Sequence, residues 1–361
     1  MNVAVIGAGP VGCYAGYLFA KEGHAVTIYE NHPQIGSPVQ CTGLLTSDFD
    51  ELNIPKDGFL VNTFSKIEVN TPNHKTTINQ KEYLVCRIKF DNYFADLARN
   101  SGAKILVNHS FLRKEGKNLV VKDTGSNQEK TITPDVVLAA DGPLSPTAKA
   151  YGLYHPQRTH YYGIQATVQG SFDHTGYQTY FSDQICPGLF AWVVPESSTM
   201  ARVGVATLKN TKYYFDKFMK DQEYTAMDIQ AGAIPIYHPQ QIIHQDNCYL
   251  LGDAAGFVKA TTLGGLIPGL KQAEILADCV LHNKNYEKEI KPLAKKLRLH
   301  LKLRQIFDKF KDQDWDKLVS LINQPKIKKV FEEYTRENPF PLVLKSILKE
   351  PRLLYFAKYV L

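Results

Sequence analysis

Gly7, Gly9 and Gly12 stand in the run Gly7-Ala8-Gly9-Pro10-Val11-Gly12, immediately after the short apolar segment Asn2-Val3-Ala4-Val5-Ile6. At a strand-to-helix turn the first glycine permits the tight bend, the second lets a pyrophosphate approach the backbone, and the third lets helix and strand pack closely. The helix start adds unpaired N–H groups and a positive dipole end. Tyr14, Leu18 and Phe19 then form an apolar helical stripe that Gly23 ends, and a second strand, Ala25-Val26-Thr27-Ile28-Tyr29, stops at Glu30. Glu30 lies eighteen residues past Gly12, close to where a carboxylate accepts from ribose hydroxyls. Gly7, Gly9, Pro10, Gly12 and Glu30 are therefore expected to bind a dinucleotide. The motif alone does not separate FAD from NAD.

Two later segments make that distinction. Pro134-Asp135-Val136-Val137-Leu138-Ala139-Ala140 reads as a buried strand ending in Asp141-Gly142-Pro143-Leu144-Ser145, and Cys248-Tyr249-Leu250-Leu251 as another ending in Gly252-Asp253-Ala254-Ala255. Each dipeptide alone is ordinary turn chemistry. Together, an early G-x-G-x-x-G, a central D-G-x-x-S and a late G-D-A-A resemble the three fingerprints of the flavoprotein monooxygenase fold typified by para-hydroxybenzoate hydroxylase. That resemblance implies FAD, with Asp253 of Gly252-Asp253 on a ribityl hydroxyl and Asp141 and Gly142 at the turn near the pyrophosphate.

Within that fold, Val39-Gln40-Cys41-Thr42-Gly43-Leu44-Leu45, Arg87-Ile88-Lys89-Phe90-Asp91, Pro187 to Pro195 and Thr262 to Ile267 are similar to elements of the geranylgeranyl reductase family. Its members saturate isoprenoid double bonds with reduced FAD, and the resemblance extends to about Leu281. It implies that Cys41 lies near the flavin and that flavin N5 delivers hydride to a prenyl chain on a lipid or isoprenoid. Three positions depart from the pattern: Glu196 replaces a usual Lys, Phe190 a usual Tyr, and Leu266 a third glycine. The rival reading from the same fold is an FAD-dependent monooxygenase or halogenase. Halogenases carry W-x-W-x-I-P where this chain has Phe190-Ala191-Trp192-Val193-Val194-Pro195, so the first Trp is absent. A non-catalytic flavin-bearing binding module is the other alternative.

The residue chemistry can be read beside the family. Gly264 and Gly265 precede an apolar helix carrying Leu266, Ile267, Leu270, Ala273, Leu276 and Ala277, whose first N–H groups suit the electron-rich N1/O2 edge of a reduced isoalloxazine. The permanently charged fork of Arg87 suits a flavin phosphate or ribityl oxygen. Alkene reduction needs hydride at one carbon and a proton at the other, and a thiol such as Cys41 is a weak acid that tolerates an apolar pocket. The electron donor is open between NAD(P)H and a small redox protein, since no second G-x-G-x-x-G is present.

These residues need an α/β scaffold, α+β overall: a Rossmann-like FAD-binding domain from 1–60, 81–155 and 245–285, and an antiparallel β-sheet substrate domain from 61–80 and 156–244. A basic helical region, 286–361, completes the chain. Tyr180, Phe190, Trp192 and Pro195 are expected on the cavity wall, although only one face of a sheet can line it.

Composition sets the remaining bounds. With 361 residues and 44% hydrophobic, the chain is long and apolar enough for about two domains, and neither disordered nor a disulfide-stapled mini-protein. Six cysteines without a C-x-x-C pair point to a reduced, cytoplasmic protein with no structural metal. No segment has the length of a membrane span or the pattern of a signal peptide. The net charge of +6 divides into −3 for 1–283 and +9 for 284–361. That tail, with Lys295, Lys296, Arg298 and Lys302 opposite a row of leucines, is suited to an anionic membrane surface or an acidic electron donor, giving a peripheral location. No nucleic-acid-binding motif is present.

Overall fold

The computed structural model describes residues 1–360; Leu361, the last residue of the tail, lies outside the described residues. Its first layer is a parallel sheet in the order Cys248–Leu250, Val136–Ala139, Asn2–Ile6, Ala25–Tyr29, Lys104–Leu106, with His244–Gln245 antiparallel at one edge. The two strands at its centre are apolar runs because both faces are buried, with residues of three helices and of a three-stranded sheet sharing their core. Val5, Val137, Leu138 and Ala139 are fully buried there. Helices Pro10–Ala20, Arg87–Asn100 and Leu266–Leu281 supply the covering apolar surface, including Phe19, Phe90, Phe94, Leu270 and Leu276. Each strand ends at the same edge, which brings the Gly7, Glu30, Asp141 and Gly252 turns together.

The second sheet has eight strands, in the order Ala226–Pro235, His160–Gln169, Met200–Thr207, Ala191–Pro195, Gly176–Tyr180, Leu60–Asn70, Lys75–Val85, Leu44–Thr46. It is antiparallel except where Gly176–Tyr180 runs parallel to Leu60–Asn70. Parallel neighbours need a long crossover, and here the chain passes through the first sheet between them. Leu60–Asn70 and Lys75–Val85 pair as a hairpin that runs past the expected 61–80 segment, and Leu44–Thr46 pairs with it at the edge. A third, three-stranded sheet, His109–Glu115, Asn118–Asp123 and Glu129–Ile132, has no counterpart in the sequence reading.

The tail folds as helices Lys291–Phe307, Asp312–Ile322, Pro325–Glu333 and Pro339–Lys349, followed by the 3-10 segment Pro351–Tyr359. It docks along the hairpin through polar contacts. Asp316 accepts from the Thr71 hydroxyl at 2.6 Å and the Asn73 side chain at 2.7 Å, and the Asn79 amide donates to Glu332 at 2.8 Å. An aromatic knot of Phe310, Trp315 and Phe356 meets the second sheet at Phe181, whose ring centroid is 4.6 Å from that of Trp315.

Candidate active site

At the nucleotide end, a Cβ on Gly12 would stand 2.2 Å from the Gly7 carbonyl oxygen, so only glycine lets the helix start this close to the strand. A Cβ on Gly9 would meet nothing within 4 Å, because Gly9 faces the open cavity at the start of helix Pro10–Ala20. That is the space a pyrophosphate needs against the backbone. The Glu30 carboxylate is held at the end of its strand by the Ala8 N–H at 2.8 Å and the His32 N–H at 2.9 Å, and it borders the same cavity. The D-G-x-x-S spacing closes a turn. The Ser145 hydroxyl donates to Asp141 at 2.5 Å and accepts from the Ala148 N–H at 2.9 Å, capping helix Pro146–Ala150, while the Thr147 N–H also reaches Asp141 at 2.9 Å. Burial pushes the Asp141 carboxyl above the usual carboxylate range.

Asp253 sits opposite, with Gly142, Gly264, Gly265 and Leu266 on the same cavity wall. Burial raises its carboxyl, against the opposing charges of Arg87 and Arg158. Two residues missed in the sequence hold this turn. The Arg158 guanidinium donates to the carbonyls of Asp253 at 3.3 Å and Ala254 at 2.8 Å. Gln272 accepts from the Gly252 N–H at 2.9 Å and donates to the Leu250 carbonyl at 3.0 Å. A lone amide on the apolar face of helix Leu266–Leu281 was the available signal for Gln272; Arg158 left none.

Cys41 lies where its loop meets helix Arg87–Asn100. Its sulfur accepts from the Gly43 N–H at 3.3 Å, and the Arg87 guanidinium stands beside it. Asp91 accepts from Nε and Nη2 of Arg87, at 3.0 Å each, which fixes the guanidinium at the Cys41 corner, where it borders the cavity. Burial opposes its charge, but Asp91 and Cys41 outweigh burial and hold the guanidinium above its usual range. The departure at Glu196 has a local explanation: it pairs with Arg202 at 2.6 Å, and Arg202 in turn donates to the carbonyls of Thr42 and Val85, fixing the Cys41 loop. Gln165 ties that loop to the sheet, accepting from the Thr42 hydroxyl at 2.6 Å and from the Trp192 ring N–H at 3.0 Å.

Gly9, Glu30, Cys41, Arg87, Asp141, Gln165 and Asp253 border one continuous cavity of about 840 Å³. Phe190 and Trp192 line it. Tyr180 and Pro195 do not: the Tyr180 ring packs edge-on against Phe218, centroids 5.4 Å apart, and the Pro195 carbonyl accepts from Asn62. Strand alternation gives the cavity-facing places to Thr179 and Phe181 instead. Past Ile67, Val69 and Ile78 the far arm is closed by Phe331, Tyr334, Arg336 and Leu342 of the tail. The tail is thus a wall of the site.

Comparison with known proteins follows the same lines. Residues 5–42 match the NAD(P)-binding Rossmann-like domain. The digeranylgeranylglycerophospholipid reductase of Methanocaldococcus jannaschii is 28% identical, with 100% of this chain and 98% of that protein covered. The solved structure of a geranylgeranyl bacteriochlorophyll reductase-like protein from Thermoplasma acidophilum superposes with a TM-score of 0.85 at 24% identity, over 100% of this chain and 99% of the other. In sequence and in fold the chain is similar to the geranylgeranyl reductases. A flavin-dependent brominase shares the fold at a TM-score of 0.68 and 16% identity, over 100% of this chain and 93% of the brominase. The chain is an oxidoreductase, and the similarity to the Methanocaldococcus reductase includes the tail that the sequence motifs leave out. No helix among the described residues is long and apolar enough to cross a membrane.

Proposed function

We propose that this chain holds FAD non-covalently and saturates carbon–carbon double bonds of a prenyl chain carried on a lipid. The observation that carries the reading is the single cavity joining two chemistries. Its near end has the Gly9 opening, Glu30 and the buried Asp253; its far end has Ile67, Val69, Ile78, Phe331 and Leu342. The first suits a dinucleotide and the second a long apolar ligand. The names of the full-length relatives support the substrate class.

When bound and reduced, FAD supplies hydride at N5. The protein's part is positional. The N–H groups opening helix Pro10–Ala20 hold the pyrophosphate, Glu30 accepts from ribose, Asp253 from the ribityl chain, and the backbone from Gly264 to Leu266 faces the N1/O2 edge. Trp192, locked through Gln165, and Phe190 keep the alkene over the ring and exclude water. Cys41 holds the proton for the second carbon.

The tail gives the lipid its approach. Helix Pro339–Lys349 places Leu342 in the cavity wall and turns Phe340, Leu344 and Leu348 outward, where they are 66%, 45% and 71% exposed. Such an apolar row, with Lys345 and Lys349 beside it, suits an anionic bilayer surface. The test of function is anaerobic: the reduced, FAD-loaded protein is mixed with unsaturated prenyl phospholipid, diphosphate or alcohol. Reoxidation of the flavin with a stoichiometric mass gain of two hydrogens per bond is expected. Failure with every prenyl acceptor rejects the reductase reading.

A further inference from the structure

Lys259 follows the G-D-A-A turn and is 4% exposed, yet it lines the cavity. Its backbone closes the loop that precedes helix Leu266–Leu281: the Lys259 N–H donates to the Gly264 carbonyl at 3.2 Å, and the Lys259 carbonyl accepts from the Leu263 N–H at 2.8 Å. The side chain then folds back over the loop. A Cβ on Gly264 would lie 2.9 Å from Lys259 Cε and 3.2 Å from Nζ. The ammonium therefore sits against the same glycines whose backbone is proposed to face the N1/O2 edge of the flavin.

Its ion-pair partner comes from the tail. Glu337 bonds to Lys259 Nζ and is itself buried, accepting also from the Thr46 hydroxyl at 3.4 Å. The nearby His300 gives its Nδ1 to the Thr261 hydroxyl at 2.7 Å, and Arg336 is engaged by Glu82. Burying an ion pair contributes little to stability, because desolvation offsets most of the attraction. Stability does not account for a lysine at this place. Electrostatics at the cavity does: a reduced flavin carries its negative charge on the N1/O2 edge, and a helix start offers only about half a positive charge to it. A whole charge in a dry setting adds more.

We infer that Lys259 is a counter-charge for the reduced flavin, and that Glu337 of the tail sets how much of that charge is free to act. The inference rests on the FAD reading above. The tail then takes part in the redox chemistry as well as in closing the cavity.

The test compares wild type with Lys259→Met, Lys259→Arg and Glu337→Gln, all FAD-loaded. Bound FAD is counted from its absorbance, the midpoint potential is read against a reference dye, and sulfite affinity is measured at flavin N5, where the adduct loads negative charge onto the same edge. For Lys259→Met a more negative potential and a sulfite Kd higher by about tenfold or more are expected. Lys259→Arg should stay within about twofold of wild type. Glu337→Gln should move the opposite way, with tighter sulfite binding and a less negative potential. An unchanged Kd and potential in a fully loaded Lys259→Met protein overturn the inference. Should that variant lose FAD, a Glu337→Gln protein with unchanged or weaker sulfite binding overturns it instead. A wild-type protein that takes up no FAD overturns the flavin reading itself, and with it this one.

Discussion

At the scale of single residues, the site is a set of side chains whose partners decide what each can do. Cys41 borders the cavity, its sulfur accepting from the Gly43 N–H with Arg87 beside it, and it is the residue proposed to deliver the proton. Cys41→Ser should retain FAD and its fold while single-turnover alkene reduction slows by about a hundredfold, a usual cost for losing a proton donor. His300 makes a different prediction. Burial, reinforced by Lys259, lowers its imidazole from 6.5 to about 3. Above pH 6.5 it is neutral in folded and unfolded chains alike and costs nothing. As pH falls from about 6.5 toward about 3, the unfolded chain takes a proton that the folded one refuses, and stability is lost. By pH 5 the loss is about 2 kcal/mol. Thermal melts at pH 7 and pH 5 check this: His300→Gln should show a drop smaller by that amount. Residues of this kind divide by legibility. Glu30 was read from its spacing after the glycine turn, whereas Cys41, Asp141 and Asp253 were read from the resemblance of their segments to known flavoproteins. Arg158, Gln165, Arg202 and Gln272 act on groups far away in sequence, and no local pattern marks them.

At the scale of elements, strand ends and turns position the chemistry, and their errors in the sequence reading have physical causes. The segment expected in the second sheet was 61–80, and its second strand continues past that bound to Val85. In the fold Glu82 is 0% exposed, neutralised by Arg336, 254 residues further along the chain, and receives the Tyr177 hydroxyl. A charge whose partner lies that far off reads as surface. The three-stranded sheet of 109–132 went unseen because its outer strands are largely polar and the buried apolar run of its middle strand, Leu119-Val120-Val121, is short. Asn2–Ile6, Val136–Ala139 and Cys248–Leu250 were legible because their apolar runs are continuous and each leads into a glycine turn, whereas the short edge strand Lys104–Leu106 was not read. The D-G-x-x-S turn is where an element can be tested. Ser145 both caps helix Pro146–Ala150 and bonds Asp141, so Ser145→Ala removes two interactions and leaves a buried carboxyl short of a donor. A loss of about 2 kcal/mol in denaturant unfolding is expected. FAD affinity should fall with it, since the freed Asp141 turn borders the nucleotide end of the cavity.

At the scale of the whole molecule, the division of charge that first set the tail apart proves a weak guide to its role. The +9 of 284–361 includes Arg304, buried against Asp308, and Arg336, buried against Glu82. Of the four cations expected to form a surface ridge, Lys295, Arg298 and Lys302 are exposed, but Lys296 is half-buried and donates to Asn338 at 2.8 Å. The apolar row Phe340, Leu344 and Leu348 lies instead on the helix that also lines the cavity, which places an exposed apolar surface next to the site. The two surfaces make opposite predictions about salt. Each basic residue contributes about 1 kcal/mol near an anionic bilayer, and that contribution is screened within a few ångströms at molar salt. Apolar side chains contribute about 1 kcal/mol each on partial burial and do not weaken with salt. Sedimentation with phosphatidylglycerol vesicles should therefore show binding that persists at high salt. Replacing Phe340, Leu344 and Leu348 together by Gln should weaken it on the order of a hundredfold at every salt concentration. Replacing Lys295, Arg298 and Lys302 by Gln should matter only at low salt. Binding that vanishes in high salt, and is insensitive to the apolar triple change, would hand the membrane contact back to the basic ridge and detach it from the cavity.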